Sequence, residues 1–373
     1  MGLIAKKPSP PEANMTFDLT LGPASTHTEE RRSRMLAAEW YPQSGVQLTW
    51  PHAGTDWAPM LAEVTECYVR MAYEIASRER LLIVTPEPDA VGRLLAERLP
   101  RRVVENTVLF ACPTDDTWAR DHGFLSVVGG RRTELFDFRF DGWGGKFPAD
   151  RDNAINRRLH EAGMVHGDYA PHLDFTLEGG SIESDGRGTI LTTSACLLNP
   201  NRNPGLSRAE IEERLHAWLG TERVLWLDHG HLDGDDTDSH VDTLARLCPD
   251  DTIAYVRCDR PDDPHYADLQ AMEAQIQGFR TAEGKPYRLV PLPWPDAIYD
   301  EGERLPATYA NFLVMNSTVL YPTYGQPEHD DDARRALAQA FVGYDLAGID
   351  CRPLIRQHGS LHCATMQFPA GVL

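Results

Sequence analysis

A chain of 373 residues, 42% hydrophobic and 25% charged, has core enough for one large α/β domain or two ordinary ones, with the composition of a soluble globular protein. No run approaches the roughly eighteen consecutive apolar residues of a membrane span, so no membrane partner is expected. Against 36 Lys and Arg stand 56 Asp and Glu, a net charge of −20; this argues against nucleic acid, which needs a basic face, and suits a cationic ligand held in an acidic cleft, although charge alone favours the plainer reading of a surface kept acidic for solubility.

In chain order, residues 1–30 are rich in Pro, Ser and Thr and lack the apolar core of a signal peptide. They read as a mobile leader ahead of a single domain, 31–373, with the cytoplasm as the expected compartment. Seven cysteines, an odd number without a CxxC pair, fit reduced, mostly buried thiols and one reactive one. Leu61, Val64, Tyr68, Met71 and Ile75 share one helical face, predicting a helix over Pro59–Glu79. A second is predicted over Ala90–Arg102. Ser207-Arg-Ala-Glu210 is a capping-box signature and Gly220 a stop, bounding a helix to Leu219. His265–Phe279 and Asp331–Tyr344 complete the helices. Strands are predicted at Val46–Trp50, Leu81–Thr85, Val108–Ala111, Leu125–Val128, Thr189–Thr193, Val224–Leu227, Thr252–Cys258, Leu289–Leu292, Phe312–Met315 and Val319–Tyr321, the last two joined by a turn at Asn316-Ser317. Strands and helices mixed along the whole length mean an α/β or α+β fold.

Four polar clusters punctuate this pattern. Thr114-Asp-Asp-Thr-Trp-Ala-Arg-Asp121-His-Gly123 packs three acids, an Arg, a Trp and a His into ten residues before a strand; an ordinary acidic turn with Arg120 paired to Asp115 or Asp116 is the plain alternative. In Leu177-Glu178-Gly179-Gly180-Ser, the glycines let backbone crowd a ligand or another segment. Between His229 and Asp242 lie three His and five Asp in fourteen residues. An EF-hand calcium loop fails there, because Asp238 holds its glycine place; a zinc site on His229, His231 and His240 stays open on spacing. Equally, His240 and Asp242, two apart on an extended segment, would share one face. Last, Gln357-His-Gly359-Ser360-Leu361-His362-Cys363 offers a thiol that is either buried structure or a nucleophile. From Trp118 to Glu178 is 60 residues, to His240 another 62, and to Cys363 another 123. Trp50–Trp57 and Tyr309-Ala-Asn311 fall at similar intervals, suggesting a repeat of about sixty residues.

Together, Trp118-Ala-Arg-Asp121-His-Gly, Phe140-Asp-Gly-Trp143-Gly-Gly-Lys146, Leu177-Glu178-Gly-Gly-Ser, Ser239-His240-Val-Asp242 and Leu361-His362-Cys363 resemble the agmatine deiminase family, which includes the bacterial type of peptidyl-arginine deiminase. The resemblance runs from about Trp50 to Gln367. It implies the pentein fold, an α/β-propeller of pseudo-fivefold ββαβ units around a central pocket, with the strand after Cys363 closing the ring beside Trp50. It implies Cys363 as nucleophile, His240 as general acid/base, Glu178 as its carboxylate partner, and Asp121 and Asp242 as the grip on a guanidinium, with Trp118 also lining the substrate. The chemistry fits: a guanidinium is a planar, permanent cation with a fork of N–H donors, and its delocalised carbon needs a soft, strong nucleophile. No cofactor and no metal are implied, a small cationic guanidino compound is the expected partner, and homo-oligomerisation is left open. One departure bears on substrate: the family commonly carries Gly-Gly-Gly-Asn-Ile-His-Cys where this chain has His358-Gly359-Ser360-Leu361-His362-Cys363. Agmatine is the expected substrate. The alternatives are free or peptidyl arginine, amidino transfer to an amine, a zinc hydrolase, and a non-catalytic polyamine-binding protein.

Overall fold

A computed structural model describes residues 34–373; the leader, 1–30, lies outside them. The fold is mixed α/β. Five sheets share one local plan, in which a short antiparallel pair is followed by a helix and then a parallel strand. In one, Ile182–Ser184 pairs antiparallel with Thr189–Thr193, helix Arg208–Leu219 crosses over, and Arg223–Leu227 returns parallel. Ala245–Cys248, Thr252–Val256 and Arg288–Leu292 repeat this around helix Tyr266–Gly278. Leu313–Val314, Thr318–Thr323 and Asp345–Asp350 do so around Pro327–Ala340. The sheet of Leu125–Val128, Glu134–Arg139 and Asp168–Thr176 carries Ile155–Glu161 on its crossover and Met35–Leu36 at its edge. The remaining sheet joins the two ends of the chain: Thr365–Pro369 pairs antiparallel with Gln43–Thr49, Thr365 opposite Leu48, before helix Leu61–Ala76 and the parallel strands Arg80–Thr85 and Thr107–Ala111. The strand after Cys363 thus lies beside the segment that leads to Trp50, as expected. The Trp50–Trp57 segment is therefore not a further unit; it leaves the far end of the strand that Thr365–Pro369 joins.

Local signals act where they were read. Ser207 caps its helix reciprocally with Glu210, and Gly220 ends it at φ 68°. Asn316-Ser317 makes a two-residue turn, Met315 N–H donating to Thr318 O at 2.8 Å. The consequence for the site is positional. Asp121 precedes Leu125–Val128, Glu178 precedes Ile182–Ser184, Asp242 precedes Ala245–Cys248, Asn311 precedes Leu313–Val314, and Cys363 precedes Thr365–Pro369. Each polar segment enters the first strand of one sheet, which is why the clusters recur at nearly equal intervals. Among the described residues, no helix is long and apolar enough to cross a membrane.

Candidate active site

Gly180 marks the point where three of these segments meet. A Cβ added there would lie 2.6 Å from His240 Nδ1, 2.8 Å from Asp121 Oδ1 and 3.1 Å from Asp242 Oδ2; only a residue without a side chain lets them converge. Asp121, in the short turn Ala119–His122, is buried and accepts from Gly180 N and Trp143 Nε1, both at 3.0 Å. Burial, with the charges of Asp242 and Glu178, pushes its carboxyl well above the usual range.

His240 caps the 3-10 turn Val241–Thr243 and Asp242 lies within it, so the expected extended segment is a turn that brings both side chains inward by rotation rather than by strand alternation. His240 is fully buried, and neither ring nitrogen has a hydrogen-bond partner. Burial, helped by the Arg202 charge and opposed by Asp242, lowers it to about 3, so it stands neutral and able to accept a proton. Its Nδ1 is 3.6 Å from Asp121 Oδ1. Asp242 Oδ1 is likewise buried without a partner, while Oδ2 takes His362 Nδ1 at 2.7 Å. Burial raises Asp242, but the His362 contact more than offsets this and leaves it below the ordinary value.

The Cys363 thiol lies 3.4 Å from Asn311 Oδ1 and 3.9 Å from Asp242 Oδ2. Asn311 Oδ1 also accepts from the backbone N–H groups of His362 and Cys363, at 2.8 and 3.3 Å. Burial and the facing carboxylates of Asp242 and Asp121 hold the thiol well above its ordinary pKa. A cation placed between those acids reverses that electrostatic balance.

Glu178 is buried in the same place but paired differently from the expectation. Both its oxygens accept from Arg202 Nε, at 2.8 and 3.1 Å, and no hydrogen bond joins it to His240, although their polar atoms lie within 4.8 Å. The buried Arg202 guanidinium demands a counter-charge, and Glu178, with Asp238 at 2.6 Å, supplies it. Trp118 packs against Trp57 with ring centroids 5.7 Å apart and against Gly359, where a Cβ would come within 2.3 Å of its ring.

Asp121, Trp118 and the Cys363 thiol open onto a small cleft whose walls also carry Asp56, Asp116 and Asp236 and the rings of Trp143 and Phe147, with no Lys or Arg among its described lining residues; His240, Asp242 and Glu178 are not among them. Burial raises Asp116 to about 7 and Asp236 to about 6. His358, at φ 66° where the family pattern has glycine, also lines the cleft and donates from Nδ1 to Gly234 O at 2.7 Å. The basic residues near the motifs are engaged elsewhere. Arg120 does not pair with Asp115 or Asp116 but points to Glu39, 3.9 Å away, and Lys146 holds Asp238. Arg139 is exposed on its strand.

His229, His231 and His240 do not converge. The first two sit exposed against Asp268 while His240 is buried beside Asp121, so the zinc reading of these three fails on geometry. Glu178, Cys196 and His240 are near enough to hold a metal ion, but Arg202 occupies both Glu178 oxygens and burial keeps the Cys196 thiol protonated, a poor donor set. Arg202 is one of the few basic residues near the motifs, but spacing gave no hint of its pairing with Glu178, nor of the His362 bridge; Trp143 lies inside the Phe140–Lys146 motif, where it carried no expected role.

The family model for Porphyromonas-type peptidyl-arginine deiminase matches residues 35–369. An agmatine deiminase of Stutzerimonas stutzeri is 34% identical over 372 residues, 92% of this chain and 98% of that protein. Among solved structures, a Porphyromonas gingivalis protein provisionally described as an arginine deiminase is 51% identical, with a TM-score of 0.86 over 91% of this chain and 99% of that one. An agmatine deiminase of C. jejuni with a cysteine-to-serine substitution and substrate bound is 34% identical, with a TM-score of 0.84 over 91% and 97%.

Proposed function

We propose, from the premise that the chain belongs to the Porphyromonas-type peptidyl-arginine deiminase family and is a hydrolase acting on guanidino groups, that its substrate is agmatine, which it converts to N-carbamoylputrescine and ammonia. The observation that carries this reading is the acid content of the cleft: Asp56, Asp116, Asp121 and Asp236 line it without a Lys or Arg among the described lining residues. Agmatine is cationic at both ends. The α-carboxylate of free arginine would meet acids where it needs a cation.

In this mechanism Asp121 and Asp242 accept the guanidinium N–H groups. The bound cation lowers the Cys363 pKa, and the neutral His240 takes the thiol proton. Sulfur attacks the guanidinium carbon, His240 returns the proton to the departing nitrogen, and ammonia leaves a thiouronium on Cys363. His240 then deprotonates water, oxygen adds to the same carbon, and the C–S bond breaks to release the urea and restore the thiol. Glu178, anchored by Arg202, faces His240 when the ring is charged, and Trp118 walls the alkyl chain. All chemistry is carried by side chains, without cofactor. The fold in this reading is a pseudo-fivefold ring of ββαβ units, residues 31–373 forming one catalytic domain around the pocket. Seven free cysteines suit a reducing cytoplasm.

The 51% identical Porphyromonas gingivalis protein favours a second reading, in which free or peptidyl arginine is the substrate. Ammonia release from agmatine, L-arginine and a blocked arginine peptide separates the two. Agmatine should show the highest kcat/KM; a higher value for either arginine compound removes the agmatine assignment and leaves the thiol mechanism intact.

A further inference from the structure

Away from the cleft, His229–Asp233 folds against the start of helix Tyr266–Gly278. His231 Nδ1 lies 2.8 Å from Asp268 Oδ2, and His265 Nδ1 lies 2.9 Å from Asp263 Oδ1. A carboxylate only accepts, so each imidazole carries a proton on Nδ1 and directs Nε2 elsewhere. For His265 a second contact agrees: its Nε2 accepts the Asp233 N–H at 2.8 Å and therefore holds a lone pair. Both carboxylates are themselves fixed. Asp263 takes Trp294 Nε1 and Arg304 Nη2, each at 2.9 Å, and Asp268 takes Gly230 N at 2.8 Å.

One donor atom from each of His231, Asp233 and His265 lies within 4.8 Å of the other two. His265 Nε2 and Asp233 Oδ1 are 3.5 Å apart, and donors at zinc-ligand distances from a tetrahedral centre sit about 3.3 Å from one another. An imidazole that gives its other N–H to a fixed carboxylate is the arrangement that orients histidine ligands on metals.

We propose that His231, Asp233 and His265 bind a divalent ion of the zinc, cobalt and nickel class, with Asp268 and Asp263 orienting the two rings. Two imidazoles and one carboxylate suit these ions better than calcium or magnesium, which take oxygen ligands. The ion replaces the Asp233 N–H as partner of His265 Nε2, and water completes its shell. No step at Cys363 passes through this site. Its effect is mechanical and local: it ties the turn around Leu232 to the helix.

The test is titration of the metal-freed full-length protein with Co²⁺, read by visible absorption and calorimetry. One ion per chain should bind with nitrogen and oxygen ligation and without a thiolate charge-transfer band. His231→Ala, which removes an exposed side chain, should weaken binding at least a hundredfold; Asp268→Asn should weaken it ten- to a hundredfold. Turnover should be unchanged in both variants. Absence of binding, an affinity unaltered by His231→Ala, or a thiolate band placing the ion on Cys363 would each overturn the proposal.

Discussion

Replacing Gly180 by Ala adds one methyl group at the point where three segments of the site meet. Gly180 is not among the residues with positive φ, so alanine can adopt its backbone conformation. On that ground the change slightly favours folding, by about 0.4–1 kcal/mol. The cost falls on the site. The new Cβ would stand 2.6 Å from His240 Nδ1 and 2.8 Å from Asp121 Oδ1, where unstrained contacts need about 3.4 Å. The imidazole must retreat by roughly 0.8 Å and the carboxylate by roughly 0.6 Å, and misplacement on the order of 1 Å costs about a hundredfold in rate. Steady-state ammonia release should therefore show kcat/KM reduced about a hundredfold or more, equivalent to about 2.7 kcal/mol. The melting temperature should move by only a few degrees. A well-folded Gly180→Ala protein retaining kcat/KM within fivefold of the parent would refute the convergence of His240 and Asp121 in the working enzyme.

Cys363→Ala should abolish turnover with little change in stability, since a small buried side chain replaces another, and quenched-flow mass spectrometry of the parent should find substrate mass on Cys363; residual turnover above a trace rejects covalent catalysis there. Asp116→Asn tests the acidic cleft. The folded carboxyl titrates near 7 against an ordinary 3.8, so the parent's stability from this group is full below about pH 4 and is lost as pH rises toward 7. Urea unfolding should show the Asn variant gaining roughly 2–4 kcal/mol on the parent between pH 5 and pH 8; a gap that stays constant with pH contradicts the assignment.

What the sequence made legible follows from how local each signal is. The capping box at Ser207 and the turn at Asn316-Ser317 need only their neighbours, and both form where expected. Asp168–Thr176 went unread as a strand because it is a sheet edge, paired on one side and largely exposed, so its polar residues carry no buried alternation. Helix Pro327–Ala340 begins four residues before the expected Asp331, at the Pro327 that starts its first turn. Cys363, His240, Glu178, Asp121 and Asp242, which lie far apart in the chain, are close together in the fold. The pairing of Glu178 with Arg202 was not legible, because a buried ion pair 24 residues apart leaves no periodic trace.

The pairing of Thr365–Pro369 with Gln43–Thr49 has a consequence in time as well as in space. A ribosome makes Asp121, Glu178, His240 and Asp242 long before it makes Cys363, and the strand that carries the thiol inward must find Gln43–Thr49, one of the earliest strands made. Until that last pairing zips, a nascent or refolding chain holds the acids proposed to grip the substrate but no Cys363 thiol beside them. Activity should thus appear only with the final docking event, and its onset during refolding reports the pairing of the two ends rather than the formation of any one sheet.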